Sequence, residues 1–352
     1  MRFYALCHAA MLSILSNFRY YSMKSLTAYL QPIRRRMGLR FVLDRHPDHR
    51  KSIFLAGTGR SGGTWLAEII NQRNEYRFIF EPFHPKRTPW MKPFAERNYM
   101  RPEDNDAEFL ALAQSIVTGR IRHPWTERFN RRFVTRQRLI KEDYANLMMK
   151  WLNVNFPEMP LILLLRHPCA VAVSYVTHNY RGAVMPLLGQ EKLVADFLDP
   201  YVDEIRRARD TFERTVFLWC VETLVPLRQC RPEEVHVVFF ENLVQNPESE
   251  LGKLFSYLGK SMDGLDLEKL KIPSLTARKA TSAVWTGDDR IASWKNKVSD
   301  AQRRRALEII KLFGLDCIYT DAPMPRVEGA FEIMKKGQAG TKLVQPPVVE
   351  RS

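Results

Sequence analysis

Apolar positions along this chain alternate between short continuous runs and segments of helical period. Ser52-Ile53-Phe54-Leu55-Ala56 is a short apolar run that stops at a glycine cluster, the pattern of a buried strand. Just after it Trp65, Leu66, Ile69 and Ile70 share the spacing of one helix face. Residues 77–81 read as a second strand, ended by Pro82, and residues 83–137 as an irregular Pro- and Arg-rich stretch with helical signal over 106–117. A strand at 138–141 and a helix over 144–155 lead to Leu161-Ile162-Leu163-Leu164-Leu165. That run is apolar throughout, which predicts burial on both faces, as in a parallel sheet. A long helix over 202–229, a strand over 235–240 and a helix over 250–258 follow. Alternating strands and helices predict an α/β fold of three layers, with a central, mostly parallel sheet flanked by helices.

The order strand, glycine loop, helix over residues 52–70 is the opening of a P-loop-like nucleotide-binding fold. On this reading residues 1–48 form a helical lead-in ending in Asp44-Arg45-His46-Pro47-Asp48, and residues 49–320 the main domain. From 321 onward Pro323, Pro325, Gly337, Gly340, Pro346 and Pro347 predict a loosely ordered tail.

Composition narrows the partners. The 352 residues carry a formal net charge of +15, which points to nucleic acid, an anionic membrane surface, or small anionic ligands and acidic polymers. No RNA-binding signature, C2H2 spacing or leucine zipper is present, so nucleic acid is the weakest of these. The five cysteines are scattered without CxxC spacing, which suggests neither a zinc site nor a disulfide framework and fits a reducing compartment. The apolar stretch 3–15 is too short to span a bilayer. With Lys24 and Arg34-Arg35-Arg36 it could form a membrane-surface helix, or a short helix docked on the domain.

The candidate chemistry begins at Gly57-Thr58-Gly59-Arg60-Ser61-Gly62-Gly63-Thr64. Backbone N–H groups at a helix start cradle anions there. Against the GxxxxGK[ST] pattern, Gly57, Gly62 and Thr64 fit, but Gly63 stands where the lysine for β- and γ-phosphates would be. Arg60 supplies charge inside the loop instead. After the strand 161–165 come Arg166-His167-Pro168 and then Ser174, with Pro168 placed for a first helical turn. An arginine at a strand end and a hydroxyl on the following helix make a second anion cradle.

Arg60-Ser61-Gly62-Gly63-Thr64-Trp65 resembles the phosphosulfate loop of the sulfotransferases, and Arg166 through Ser174 resembles their R-x-P-x5-S motif. The resemblance spans roughly residues 50–320. It implies 3′-phosphoadenosine 5′-phosphosulfate (PAPS) as co-substrate, and no ligand cluster suggests a catalytic metal. Gly59, Arg60, Ser61, Gly62, Gly63 and Thr64 would hold the 5′-phosphosulfate, and Arg166 and Ser174 the 3′-phosphate. Trp65 would stack on adenine, or else serve as a core residue. Arg290-Ile291-Ala292-Ser293-Trp294-Lys295 is similar to the loop that closes over the nucleotide, with Arg290 and Lys295 as its 3′-phosphate contacts. Glu81, a strand-end carboxylate, is the candidate general base. Asp143 is its rival, and Lys141 is the candidate stabiliser of the transferring group. The glutamate's placement tilts the acceptor towards a carbohydrate or glycolipid hydroxyl. The basic stretch 120–141, with Trp125 and Phe129 in it, reads as a cleft for an acidic glycan or as a solvated surface. A P-loop kinase or nucleotidase, and a non-catalytic basic glycan- or membrane-binding protein, are the competing readings. The expected location is cytoplasmic, with possible membrane association through the basic N-terminal segment.

Overall fold

A computed structural model describes residues 42–277 and 283–338. Most of the lead-in, including Arg34-Arg35-Arg36 and the suggested membrane contact, lies outside the described residues, as does the end of the tail beyond residue 338.

Five strands form one sheet: β2 (Ser52–Gly57), β3 (Arg77–Phe80), β5 (Arg138–Glu142), β6 (Leu161–Leu165) and β7 (His236–Phe239). Their order is β3-β5-β2-β6-β7 and every pairing is parallel. Parallel neighbours require a crossover between them. Helices supply these: α1 (Gly63–Ile70), α2 (Ala107–Val117), α3 (Met149–Asn155), α4 (Pro168–Thr177), α5 (Thr211–Gln229) and α6 (Pro247–Tyr257). A separate two-stranded pair joins β1 (Leu43–Asp44) to β4 (Val134–Thr135).

The strand period of two sorts the apolar residues into two cores, one on each face. Ile53, Leu55, Leu139, Ile162, Leu164 and Val238 pack with α1 and α6. Phe54, Ile140, Leu161, Leu163, Leu165 and Phe239 face α2 to α5. This double burial explains why residues 161–165 show no alternation. The result is the three-layer α/β fold expected from the pattern.

Local chemistry moves several boundaries. The helix expected over 202–229 is two helices, Val202–Arg206 and α5, because Asp210 accepts a hydrogen bond from the Glu213 amide and starts a new helix. The tail read as loosely ordered contains α8 (Val327–Gln338), which follows α7 (Asp300–Leu312) and packs on α5. Its Ala330 and Met334 are wholly buried. Prolines 323 and 325 delimit this helix rather than dissolve it. No helix among the described residues is long and apolar enough to cross a membrane.

Candidate active site

All five strands point their C-terminal ends the same way, so the loops after β2, β3, β5, β6 and β7 share one sheet edge. The loop after β2 enters α1 through Gly62, whose φ of 101° is a left-handed conformation that a glycine adopts without strain. A Cβ on the next residue, Gly63, would lie 3.0 Å from the ε-carbon of Lys141. The position a nucleotide kinase gives to its loop lysine is therefore filled by a lysine from the neighbouring strand β5. The Ser61 hydroxyl is buried without a hydrogen-bond partner among the described residues.

The two anion motifs touch. Arg60 Nε donates to Ser174 Oγ at 3.0 Å, and Arg166 donates to the Arg60 carbonyl at 3.1 Å. Arg166 also reaches the Arg290 carbonyl, lies 4.3 Å over the Phe240 ring, and leaves its buried Nε unpartnered. Arg290 stacks 4.4 Å over Trp65, whose indole N–H donates to the Leu270 carbonyl. Burial lowers the pKa of Arg166 despite the nearby Glu241. Burial and repulsion from Arg166 push Arg290 down to about 10.

The fully buried arginines Arg77 and Arg138 differ. Arg77 is met by Glu127 and by the Gly119 and Ile121 carbonyls, and Arg138 by Asp44, Ser52 and the His46 carbonyl. A buried charge is tolerated when it is paired and hydrogen-bonded. Arg77 and Arg138 meet that condition within the fold. The cluster around Arg166 keeps donors in reserve, as a site for an anion would.

Beside the loop stands a carboxylate–lysine cluster. Lys141 Nζ lies 2.7 Å from Glu81 Oε1 and 2.7 Å from Asp143 Oδ2. Burial pushes the Glu81 carboxyl up to about 7, with the attraction of Lys141 opposing and the repulsion of Asp143 adding. For Lys141, burial favours the neutral amine, but the two carboxylates outweigh it and hold the pKa above its ordinary value. Glu81 has φ 43° and Arg60 φ 72°, a region non-glycine residues enter rarely and in which strain gathers at functional sites. Behind them the fully buried Glu142 accepts the amides of Phe83, Asp143 and Tyr144, fixing both loops that carry the acids.

One cavity of about 780 Å³ is lined by Gly59, Arg60, Gly62, Gly63, Thr64 and Trp65 of the loop. Glu81, Lys141 and Asp143 line it too, as do Arg166, Ser174, Arg290 and Trp294. Ser61 sits behind the wall. Lys295 is not in the lining, its ammonium 5.7 Å from the Trp294 ring. Lys297 occupies the wall instead, paired with Asp288. The basic stretch 120–141 divides. Arg128 and Trp125 line the cavity, Arg138 is structural, and exposed Arg131 and Arg132 stay outside its wall. Reasoning from the sequence missed Arg87, Arg97, Tyr144, Tyr175 and His178 in the wall. Helical spacing from Ser174 would have flagged His178, one turn on. Arg97 follows no motif and arrives through its ion pair with Glu222 of α5. No cluster of three metal-binding side chains occurs among the described residues.

Solved structures similar to the chain include a sulfotransferase domain from the curacin biosynthetic pathway, at 16% identity over 81% of this chain and 96% of that one (TM-score 0.36). A sulfotransferase domain from the Synechococcus PCC 7002 olefin synthase is 15% identical over 75% and 94% (TM-score 0.40). A mouse sulfotransferase complexed with PAP is 11% identical over 86% and 94% (TM-score 0.42). No curated protein matches it in sequence. The profile of the sulfotransferase family matches residues 52–264, a span from β2 through α6 that holds both anion motifs and the carboxylate–lysine cluster. The chain belongs to the sulfotransferase family.

Proposed function

We propose that the protein transfers a sulfuryl group from PAPS to a hydroxyl of a carbohydrate or glycolipid, with Glu81 as the general base. The observation that carries the reading is the half-buried group Arg60, Arg166 and Arg290 around one cavity, with donors of Ser61 and Arg166 unspent. These residues fit a ligand with two separate anionic groups. Arg60, Ser61, Thr64 and the loop amides would hold the 5′-phosphate. Arg166, Ser174 and Arg290, rather than Lys295, would hold the 3′-phosphate, and Trp65 and Phe240 would flank the adenine.

PAPS supplies the sulfuryl group: an S–O bond to the acceptor forms as the S–O bond to the 5′-phosphate breaks, releasing 3′-phosphoadenosine 5′-phosphate (PAP). Such displacements proceed through positioning and charge stabilisation. Glu81 takes the acceptor's proton onto its carboxylate. Lys141 stays positive across the physiological range because two carboxylates hold it so, and it stabilises charge developing on the transferring oxygens. Arg60 supports the leaving phosphate. Asp143, sharing Lys141, keeps Glu81 basic by lending it negative charge.

Binding measured for PAP against ATP with Mg²⁺ tests the donor. Strong preference for PAP is expected. Tight ATP binding with no contribution from a 3′-phosphate would favour a kinase or nucleotidase. Transfer from radiolabelled PAPS to a panel of glycans, lipids and phenols tests the acceptor, and labelled phenols alone would refute the carbohydrate assignment.

A further inference from the structure

We propose that the cavity beyond Glu81, between Arg87, Trp125 and Arg128, is an acceptor subsite selecting a saccharide that carries a carboxylate or sulfate ester. This deepens the sulfotransferase reading and rests on it.

The sheet order sets the geography. Arg166 follows β6 and Phe240 follows β7, on one side of the glycine loop of β2. Lys141 and Glu81 belong to β5 and the β3 edge, on the other side. The Phe80 amide donates to the Thr126 carbonyl at 2.9 Å, so the segment bearing Trp125 and Arg128 runs alongside β3, beyond the carboxylate. A substrate reached from Glu81 on the side away from the nucleotide therefore meets these residues first.

The chemistry there is cationic and aromatic together. Arg87 lies 5.0 Å and Arg128 4.5 Å from the Trp125 ring, and His84 meets the same ring edge-on at 5.2 Å. The Trp125 indole N–H is buried without a partner. The exposed Arg87 guanidinium has no hydrogen-bonded or ion-paired partner among the described residues, unlike Arg77, Arg97 and Arg138. The described lining of the whole cavity carries eight lysines and arginines against two carboxylates, Glu81 and Asp143, both already on Lys141. An arginine fork suits a carboxylate or sulfate, and an indole face suits a sugar ring. A neutral apolar acceptor would leave the exposed Arg87 guanidinium desolvated and unanswered.

The test is calorimetry on the full chain saturated with PAP. The probes are methyl glucuronide, methyl glucoside 6-sulfate and neutral methyl glucoside. At least one anionic probe is expected to bind about tenfold tighter than the neutral one. The stronger of the two identifies the anion. Arg87→Glu with Arg128→Glu should abolish that preference while PAP affinity and melting temperature stay put, and the double lysine variant should retain part of it. Equal affinity for all three probes, no binding of any, or a preference surviving charge reversal overturns the subsite. Failure of PAP itself to bind, seen before any saccharide is added, overturns the donor reading instead.

Discussion

At the scale of single residues, the proposed chemistry turns on the carboxylate–lysine cluster. Glu81 works as a base only when ionised, and burial moves its pKa up to about 7. The ionised form therefore grows as pH rises through that value, and kcat should climb along an acidic limb with a midpoint near it. In Glu81→Gln kcat should fall by a factor of about 10²–10⁴, the usual contribution of a positioned base, while PAP still binds. Near-normal turnover in that variant would transfer the role to Asp143, whose carboxylate shares Lys141. Arg60 and Arg166 separate differently. Arg60→Ala should lower kcat if it supports the leaving phosphate as proposed. Arg166→Ala should mainly raise KM for PAPS, by about tenfold or more for a lost charge-assisted pair. Steady-state kinetics with PAPS varied distinguishes the two. Gly63→Lys, which would restore the kinase pattern, should instead abolish donor binding, because the new side chain meets Lys141.

Elements hold the site in place through contacts invisible to local pattern. β1 contributes two residues, yet its Asp44 neutralises both Arg77 and Arg138, at the starts of β3 and β5. Removing one partner of a buried ion pair typically costs about 3–5 kcal/mol, so Asp44→Ala should lower the urea midpoint sharply although it lies far from the cavity. An unchanged midpoint would show that Glu127, Ser52 and the carbonyls satisfy both guanidiniums without it. α8 offers a parallel case at the other end of the chain. Met334 is wholly buried against the core, and Met334→Ala should destabilise by about 2–5 kcal/mol. A loosely attached tail would show no loss in the same unfolding curve.

Across the whole molecule, the donor readings differ in how ligand couples to folding. A ligand that binds only the native state stabilises it by about 2.7 kcal/mol at a hundred times its Kd. PAP should therefore raise the melting temperature, and adenosine 5′-monophosphate, lacking the second phosphate, should do so less at equal concentration. Equal shifts for the two would mean that Arg166, Ser174 and Arg290 do not read a 3′-phosphate. The same comparison in Arg166→Ala should erase the difference between the ligands.

The amino-acid sequence by itself determined the parts whose physics is local. Continuous apolar runs can only be satisfied by burial on both faces, so 161–165 and its neighbours had to form an inner parallel sheet. The loop after β2 and the Arg166–Ser174 segment carry their hydroxyls, glycines and arginines within a few residues, so both were legible as candidate anion cradles. Tertiary structure alone decided what depends on residues far apart in the chain. It brought Arg60 onto Ser174, gave Lys141 the place left open by Gly63, and set Asp143 beside Glu81 as the second acid on one lysine. It also took Arg138 out of the basic stretch into the fold while leaving Arg87 and Arg128 at the cavity, and it turned the proline-flanked tail into a packed helix. Charge is readable in a sequence, but whether a charge is already answered is fixed only when distant strands bring its partners within a hydrogen bond.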